Sequence, residues 1–199
     1  MNVRRLSAEQ RREQILTCSI DVLAKSNYQK MRVADIADLV GVSEAAIYKY
    51  FPTKKHLFLA VLKYMSDKLI NNLTSVIEAQ ADPIEALRKA ATTFTSPEVN
   101  PPDHVRIRSK AIAEVDEPEI AGQLQYDHLR FVLLLRDIVE KGEHQGVFRS
   151  DLGIDTIVLL LDAVGMFVET LKLLSLEGNT PEETGLGLMN LVIELMRAK

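Results

Sequence analysis

The chain has 199 residues, 47% of them hydrophobic and 26% charged, with nine glycines, one cysteine and no tryptophan. It is long and apolar enough to bury one small core and one larger one, which excludes a disordered chain and a disulfide scaffold. The net charge of −4 hides a division: residues 1–65 hold eleven Lys and Arg against six Asp and Glu, a balance of +5, while residues 66–199 hold thirteen against twenty-two, a balance of −9. The cations are gathered at one end, which argues against a broadly basic surface.

The stretch Met1 to Gln10 lacks an apolar signal region, so a cytoplasmic protein is expected. Ser7-x-x-Gln10 is a capping box that starts a first helix over about residues 7–26. Cys18 shares its inner stripe with Ile15 and Val22, which makes it a packed thiol and not a redox switch or metal ligand.

Residues 31–58 read as two short helices around a glycine turn, followed by a helix that opens with two lysines. Ile36, Ala37 and Val40 share one face of the first of these. Gly41 supplies a left-handed turn, Ser43 caps the next helix and Ile47 closes the pair from inside. Glu44, Ala45, Ala46, Tyr48, Lys49 and Tyr50 then face outward, with short side chains, one cation and two phenols suited to a major groove. Thr53 caps the next helix after Pro52. Lys54 and Lys55 nevertheless fill its first turn, where the helix dipole favours carboxylates. A phosphate backbone against that end would supply the missing negative charge; two solvated lysines are the plain alternative.

Residues 10–64 resemble the N-terminal DNA-binding domain of the tetracycline-repressor (TetR) family of transcriptional regulators. The likeness rests on Val33-Ala34-Asp35-Ile36-Ala37, Gly41-Val42-Ser43, Ile47-Tyr48-Lys49-Tyr50-Phe51 and Lys54 with Leu57-Phe58. It implies that Tyr48, Tyr50 and Lys54 fall where the family contacts operator phosphates and bases, with Glu44, Ala45, Ala46 and Lys49 on the recognition helix. Three positions depart from the pattern. Asn27 replaces a glycine that often ends the first helix, Arg32 replaces a capping threonine and adds a cation that can reach a phosphate, and Lys55 replaces an acidic residue.

Beyond this module the chain reads as helices throughout, with no strand pattern and no internal repeat. A fourth, over about 54–79, carries Phe58, Leu62, Met65, Leu69, Leu73 and Val76 at threes and fours. Asp82-Pro83 starts a fifth, a proline-rich loop over about 97–102 precedes a sixth, and Glu114 to Glu119 turns the chain again. A seventh carries Ile120, Leu124, Phe131, Leu135 and Ile138 on one face; Phe131 to Leu135 is apolar all round, as expected of an enclosed segment. An eighth covers about 153–176. A ninth starts at Thr180-Pro181-Glu182-Glu183. The expected fold is all-α with about nine helices: a helix-turn-helix DNA-binding domain over 1–52 and a helical ligand-binding and dimerisation domain over 53–199.

Leu160, Leu161, Val164, Gly165 and Val168 of the eighth helix, with Leu188, Leu191, Val192 and Leu195 of the ninth, can meet their two-fold mates as a four-helix bundle, or form an ordinary internal core. Met65, Leu69, Phe94, Ile112, Phe131 and Phe167 can line an apolar pocket for a small hydrophobic effector, or pack solidly. Arg108 is placed to anchor such a ligand or to pair with Asp162 or Glu169. No histidine pair has metal-ligand spacing, and no phosphate loop, nucleophile elbow or catalytic triad pattern appears, so neither a cofactor, a metal nor an enzyme is expected. Residues 154–176 are greasy, but Asp162, Glu169 and Lys172 interrupt them, so no membrane span is expected. The expected function is that of a homodimeric, ligand-responsive repressor of a double-stranded DNA operator; the alternative is an architectural protein that binds DNA without sequence preference.

Overall fold

A computed structural model describes residues 6–174 and 180–198. The expected N-terminal stretch before Leu6, and the last two residues of the expected eighth helix, lie outside the described residues. Among the described residues there are nine helices: α1 (Ala8–Lys25), α2 (Val33–Val40), α3 (Glu44–Tyr48), α4 (Lys54–Glu78), α5 (Pro83–Thr95), α6 (Pro102–Ile112), α7 (Pro118–His144), α8 (Ile154–Leu174) and α9 (Pro181–Met196). The capping chemistry accounts for several of these ends. Ser7 and Gln10 form a reciprocal capping box on α1, as Thr180 and Glu183 do on α9, and Asp82 accepts from the Ile84 N–H at the start of α5. No helix among the described residues is long and apolar enough to cross a membrane.

The chain forms two compact units. The first comprises the chain up to Met65 together with Arg106–Leu124, and the second comprises Ser66–Val105 with the chain from Gln125 onward. The compact first unit therefore runs past the boundary expected after Pro52, because the first turns of α4 carry Leu57, Phe58, Val61 and Met65 into its core.

In the first unit Ile15, Leu16 and Leu23 of α1, Ile36 of α2, Ile47 of α3 and Phe58 of α4 are buried together, with Ile107, Ala111 and Ile120 from the second segment. Cys18 packs against this core while remaining partly exposed, and burial pushes its thiol pKa up, away from reactivity. Ser26 ends α1. The Asn27 side chain then accepts from the Lys30 N–H at 2.9 Å, so the turn lacking the usual glycine is held by a side-chain bond.

In the second unit α9 packs on α5 and α8. Gly185 is what lets it approach: a Cβ there would lie 2.9 Å from Thr95 Cγ2 and 3.1 Å from Val168 Cγ2. Leu87, Leu135, Ile138, Val139, Leu161 and Ile193 are among the residues of its larger core. The segment Phe131 to Leu135 is not enclosed all round, since Leu133 is 46% exposed. After α9 the chain is clasped to the segment following α7. The Arg149 N–H donates to the Met196 carbonyl at 2.8 Å and the Ala198 N–H to the Val147 carbonyl at 3.0 Å, forming an isolated antiparallel bridge between Phe148 and Arg197.

Candidate nucleic-acid interface

The α2–α3 pair is built as its residues dictate. Gly41 adopts φ 75° and ψ 40°, and its N–H donates to the Ala37 carbonyl at 2.9 Å. The Ser43 hydroxyl accepts from the Ala46 N–H at 3.3 Å, and Ile47 is completely buried. What remains outside is Glu44, Ala45, Lys49 and Tyr48, the last 41% exposed, while Ala46 and Tyr50 are half-buried, with Tyr50 packed on the core. A helix face with no side chain longer than alanine at its centre can approach base edges closely. Arg32 precedes α2 without capping it and stands exposed, 3.9 Å from Asp35.

The two lysines at the start of α4 behave differently from each other. Thr53 accepts from the His56 N–H at 3.1 Å, satisfying one free donor of the helix end. The Lys54 ammonium donates to the Gln29 carbonyl at 2.8 Å and lies 5.2 Å from the centre of the Tyr28 ring, which itself stacks on Phe58 at 4.7 Å. Lys54 is thus held at the edge by a backbone acceptor and an aromatic face. Lys55 instead forms ion pairs with Glu117, at 3.5 Å, and Glu119. The hydrogen bond to Glu119 raises the lysine's pKa, and the same bond lowers that of Glu119. For Lys55 the expectation of a cation without local compensation is therefore corrected: carboxylates from the α6–α7 corner supply the negative charge. Sequence reasoning missed Glu117 and Glu119 as partners because more than sixty residues separate them from Lys55; the density of acids from Glu114 to Glu119 was the available signal.

Among the described residues, two hollows stand out in the second unit. An apolar cavity of about 30 Å³ is lined by residues including Leu73, Ala90, Phe94, Phe131, Leu161 and Gly165, with the Phe94 and Phe131 ring centres 5.4 Å apart. An open groove of about 450 Å³ lies between α4, α5 and α7, with Ile70, Leu133 and Ile138 in its walls and Arg130, Asp137 and Lys141 among its lining. Ile77 and Leu134 line both.

Of the residues expected around a pocket, Phe94 and Phe131 line the cavity and Leu69 is in the adjoining core. The other four do not join them. Met65 is sealed in the first unit's core, Arg108 and Ile112 also belong to the first unit, Ile112 is 61% exposed and Phe167 is 47% exposed. Toward the end of α6 the buried positions are Ile107 and Ala111, and Ile112 stands about 100° round the helix from Ala111. On α8 the inward face is set by Leu161 and Val168, and Phe167 stands about 100° round the helix from Val168. Asp162 faces His128, whose Nε2 lies 3.5 Å away.

The expected pairing surface divides similarly. Leu161, Val168 and Val192 are buried in the unit's own core, Val164 and Gly165 turn toward the cavity, and Leu188 is half-buried. Leu160, Leu191 and Leu195 stay exposed, joined by Leu159, Met166, Phe167 and Leu174. Gly165 faces inward, where a Cβ would make ordinary van der Waals contact with the Phe94 ring at 3.6 Å. No group of acids, histidines or cysteines among the described residues is arranged to hold a metal.

These features define a helix-turn-helix DNA-binding protein whose second, all-helical unit carries a hydrophobic exterior on its last two helices. Residues 15–61 match the model of the bacterial regulatory proteins of the tetR family. Those residues are thus a DNA-binding domain of the kind that defines the tetR family of transcriptional regulators. It is 26% identical over 132 residues to the nucleoid occlusion factor SlmA of Sodalis glossinidius, covering 66% of this chain and 67% of that one. Against SlmA of Shewanella frigidimarina it is 36% identical over 72 residues, so there the match spans only 36% of either chain. In fold it resembles the transcriptional regulator FadR of Bacillus subtilis, solved in complex with stearoyl-CoA, with a TM-score of 0.81 at 16% identity, covering 91% of this chain and 97% of that one.

Proposed function

We propose that the protein is a homodimeric repressor that binds a palindromic operator through α3 and the start of α4, and is released by a small hydrophobic effector held in the second unit. The observation that carries this reading is the outward edge of the first unit: Ala45, Tyr48 and Lys49 are exposed above a sealed Ile47, beside a Lys54 anchored at the helix start. Such an edge meets phosphates with its lysines and phenols and base edges with its short side chains. Two copies joined through Leu191, Leu195 and the exposed face of α8 would set two readers about 34–36 Å apart, one turn of DNA. The open groove offers an effector far more room than the apolar cavity, which is well below the roughly 300–1,000 Å³ of an ordinary ligand cleft. A ligand with an apolar chain that parts Ile77 from Leu134 would join the two hollows, and the likeness in fold to a stearoyl-CoA complex supports testing acyl compounds first. The protein acts by binding, in the cytoplasm, and not by turnover.

The similarity to nucleoid occlusion factors favours a second reading, a DNA-binding protein associated with the nucleoid. One assay separates the two. Binding to DNA from upstream of the protein's own gene is compared with a shuffled duplex at fixed salt, with and without an acyl compound. Strong preference for the native sequence, lost on adding the compound, is the expected result; equal affinity for both duplexes would overturn the repressor reading.

A further inference from the structure

We propose that Glu117 and Glu119 restrain DNA binding: in the DNA-free protein they occupy the Lys55 ammonium in place of a backbone phosphate, and release it when the duplex docks. The proposal rests on the reading of the α4 start as a DNA contact. Both carboxylates converge on one Nζ, through Oε2 of each. That nitrogen stands in the first turn of α4, next to Lys54 in the chain and two residues after Thr53. The corner that delivers the acids is fixed to the same unit. Gln29 Nε2 donates to Glu114 Oε2 at 2.7 Å, and Lys110 Nζ donates to the Ala24 carbonyl at 3.1 Å and to the Ser26 carbonyl. The acids are therefore held beside the edge and do not arrive there by chance excursions of a long side chain.

Exposure makes the contact reversible. The side chains of Glu117 and Glu119 are 45% and 58% exposed, and that of Lys55 is 34% exposed, so water competes with the pair and a phosphate can displace it. A buried pair would have been permanent. Duplex binding must break the pair, so the native affinity is lower than the lysine content of the edge would give.

The test uses the full chain and an operator fragment recovered by selection from random duplexes, with anisotropy followed across a salt series. The variant Glu117→Gln with Glu119→Gln is expected to bind about five- to tenfold more tightly at fixed salt, with a salt slope close to the native one, because Lys55 meets a phosphate in both complexes and only the native chain must first break the pair. Lys55→Gln in the native background should change affinity by less than about twofold, but should erase the gain when added to the double variant. An unchanged affinity in the double variant would overturn the latch, and so would a gain that survives Lys55→Gln, because that is the field of two lost charges alone. Glu119→Gln alone, which leaves one acid in place, should give a smaller gain in the same direction; no gain there together with none in the pair has the same overturning weight. Lys54→Ala is run alongside: a native chain that binds no duplex, or a Lys54→Ala variant with native affinity, overturns the reading of the edge itself, whereas native binding that ignores the glutamates overturns only the latch.

Discussion

The α2–α3 pair and the α8–α9 pair treat apolar side chains in opposite ways. In the first, Val33, Ile36, Ala37, Val40 and Ile47 all turn inward, and Leu39 is the one large aliphatic side chain left substantially exposed. In the second, a full complement of inward residues, Ile157, Val158, Leu161, Val168, Val192 and Ile193, is accompanied by a second set facing out, Leu159, Leu160, Met166, Phe167, Leu174, Leu191 and Leu195. A surface meant for phosphates and base edges must remain wet and close-fitting, so it is made from alanine, tyrosine and lysine. A surface meant for another copy of the chain gains from burial of apolar area, at roughly 25 cal/mol per Å². On the proposed reading the same fold presents two recognition surfaces, each made from the side chains it leaves exposed.

That contrast can be broken first at Ile47. Ile47→Ala should remove roughly 2–5 kcal/mol of stability from the first unit, measured by chemical denaturation, and should abolish specific DNA binding by loosening α3 against α2. Next comes the outer face of the second unit. Leu191→Glu with Leu195→Glu should leave the helical content intact and convert a dimer to a monomer in sedimentation experiments, with affinity for a palindromic duplex falling about a hundredfold or more; a variant that stays dimeric would place the pairing surface elsewhere. A milder effect is expected at the edge itself. Tyr48→Ala should weaken operator binding about tenfold without moving the thermal midpoint, and Lys54→Ala should reduce the salt slope by about one unit.

The smallest effect concerns Asp162. Burial raises its pKa and the neighbouring Glu169 adds to the rise, while His128 opposes it. A carboxyl whose folded-state pKa lies above its unfolded value binds its proton more tightly when folded, so this stabilisation is complete below the unfolded pKa and disappears as pH rises through the folded one. Asp162→Asn should therefore melt slightly higher than the native protein at neutral pH, with the advantage shrinking as pH falls through the carboxylate range. A variant that melts lower at neutral pH would show that the contact with His128 outweighs the cost of burial.

The helix-turn-helix was legible because its determinants are local. Gly41 carries its left-handed turn, Ser43 its cap and Ile47 its inward direction within a dozen residues. Both capping boxes were equally plain in the sequence. The face of α8 was not, because a helix that is apolar on two sides gives periodicity no polar reference; Leu160 and Leu161 differ by one position, and one is exposed while the other is buried. Ile112 was misread for a related reason, since Val105 and Arg108 share a spacing with it while the true inward face lies one residue back, at Ala111. The partners of Lys55 depend on chain folding over more than sixty residues, which no local pattern reports.

The bridge that joins Phe148 to Arg197 has a consequence for assembly. With the backbone at Arg149 and Ala198 already paired within one chain, α9 is fastened at its far end and cannot be lent to a neighbour without losing both bonds. In the proposed dimer, association through this helix would be side-by-side contact of finished subunits, since exchange of terminal arms between copies would cost the chain its own clasp.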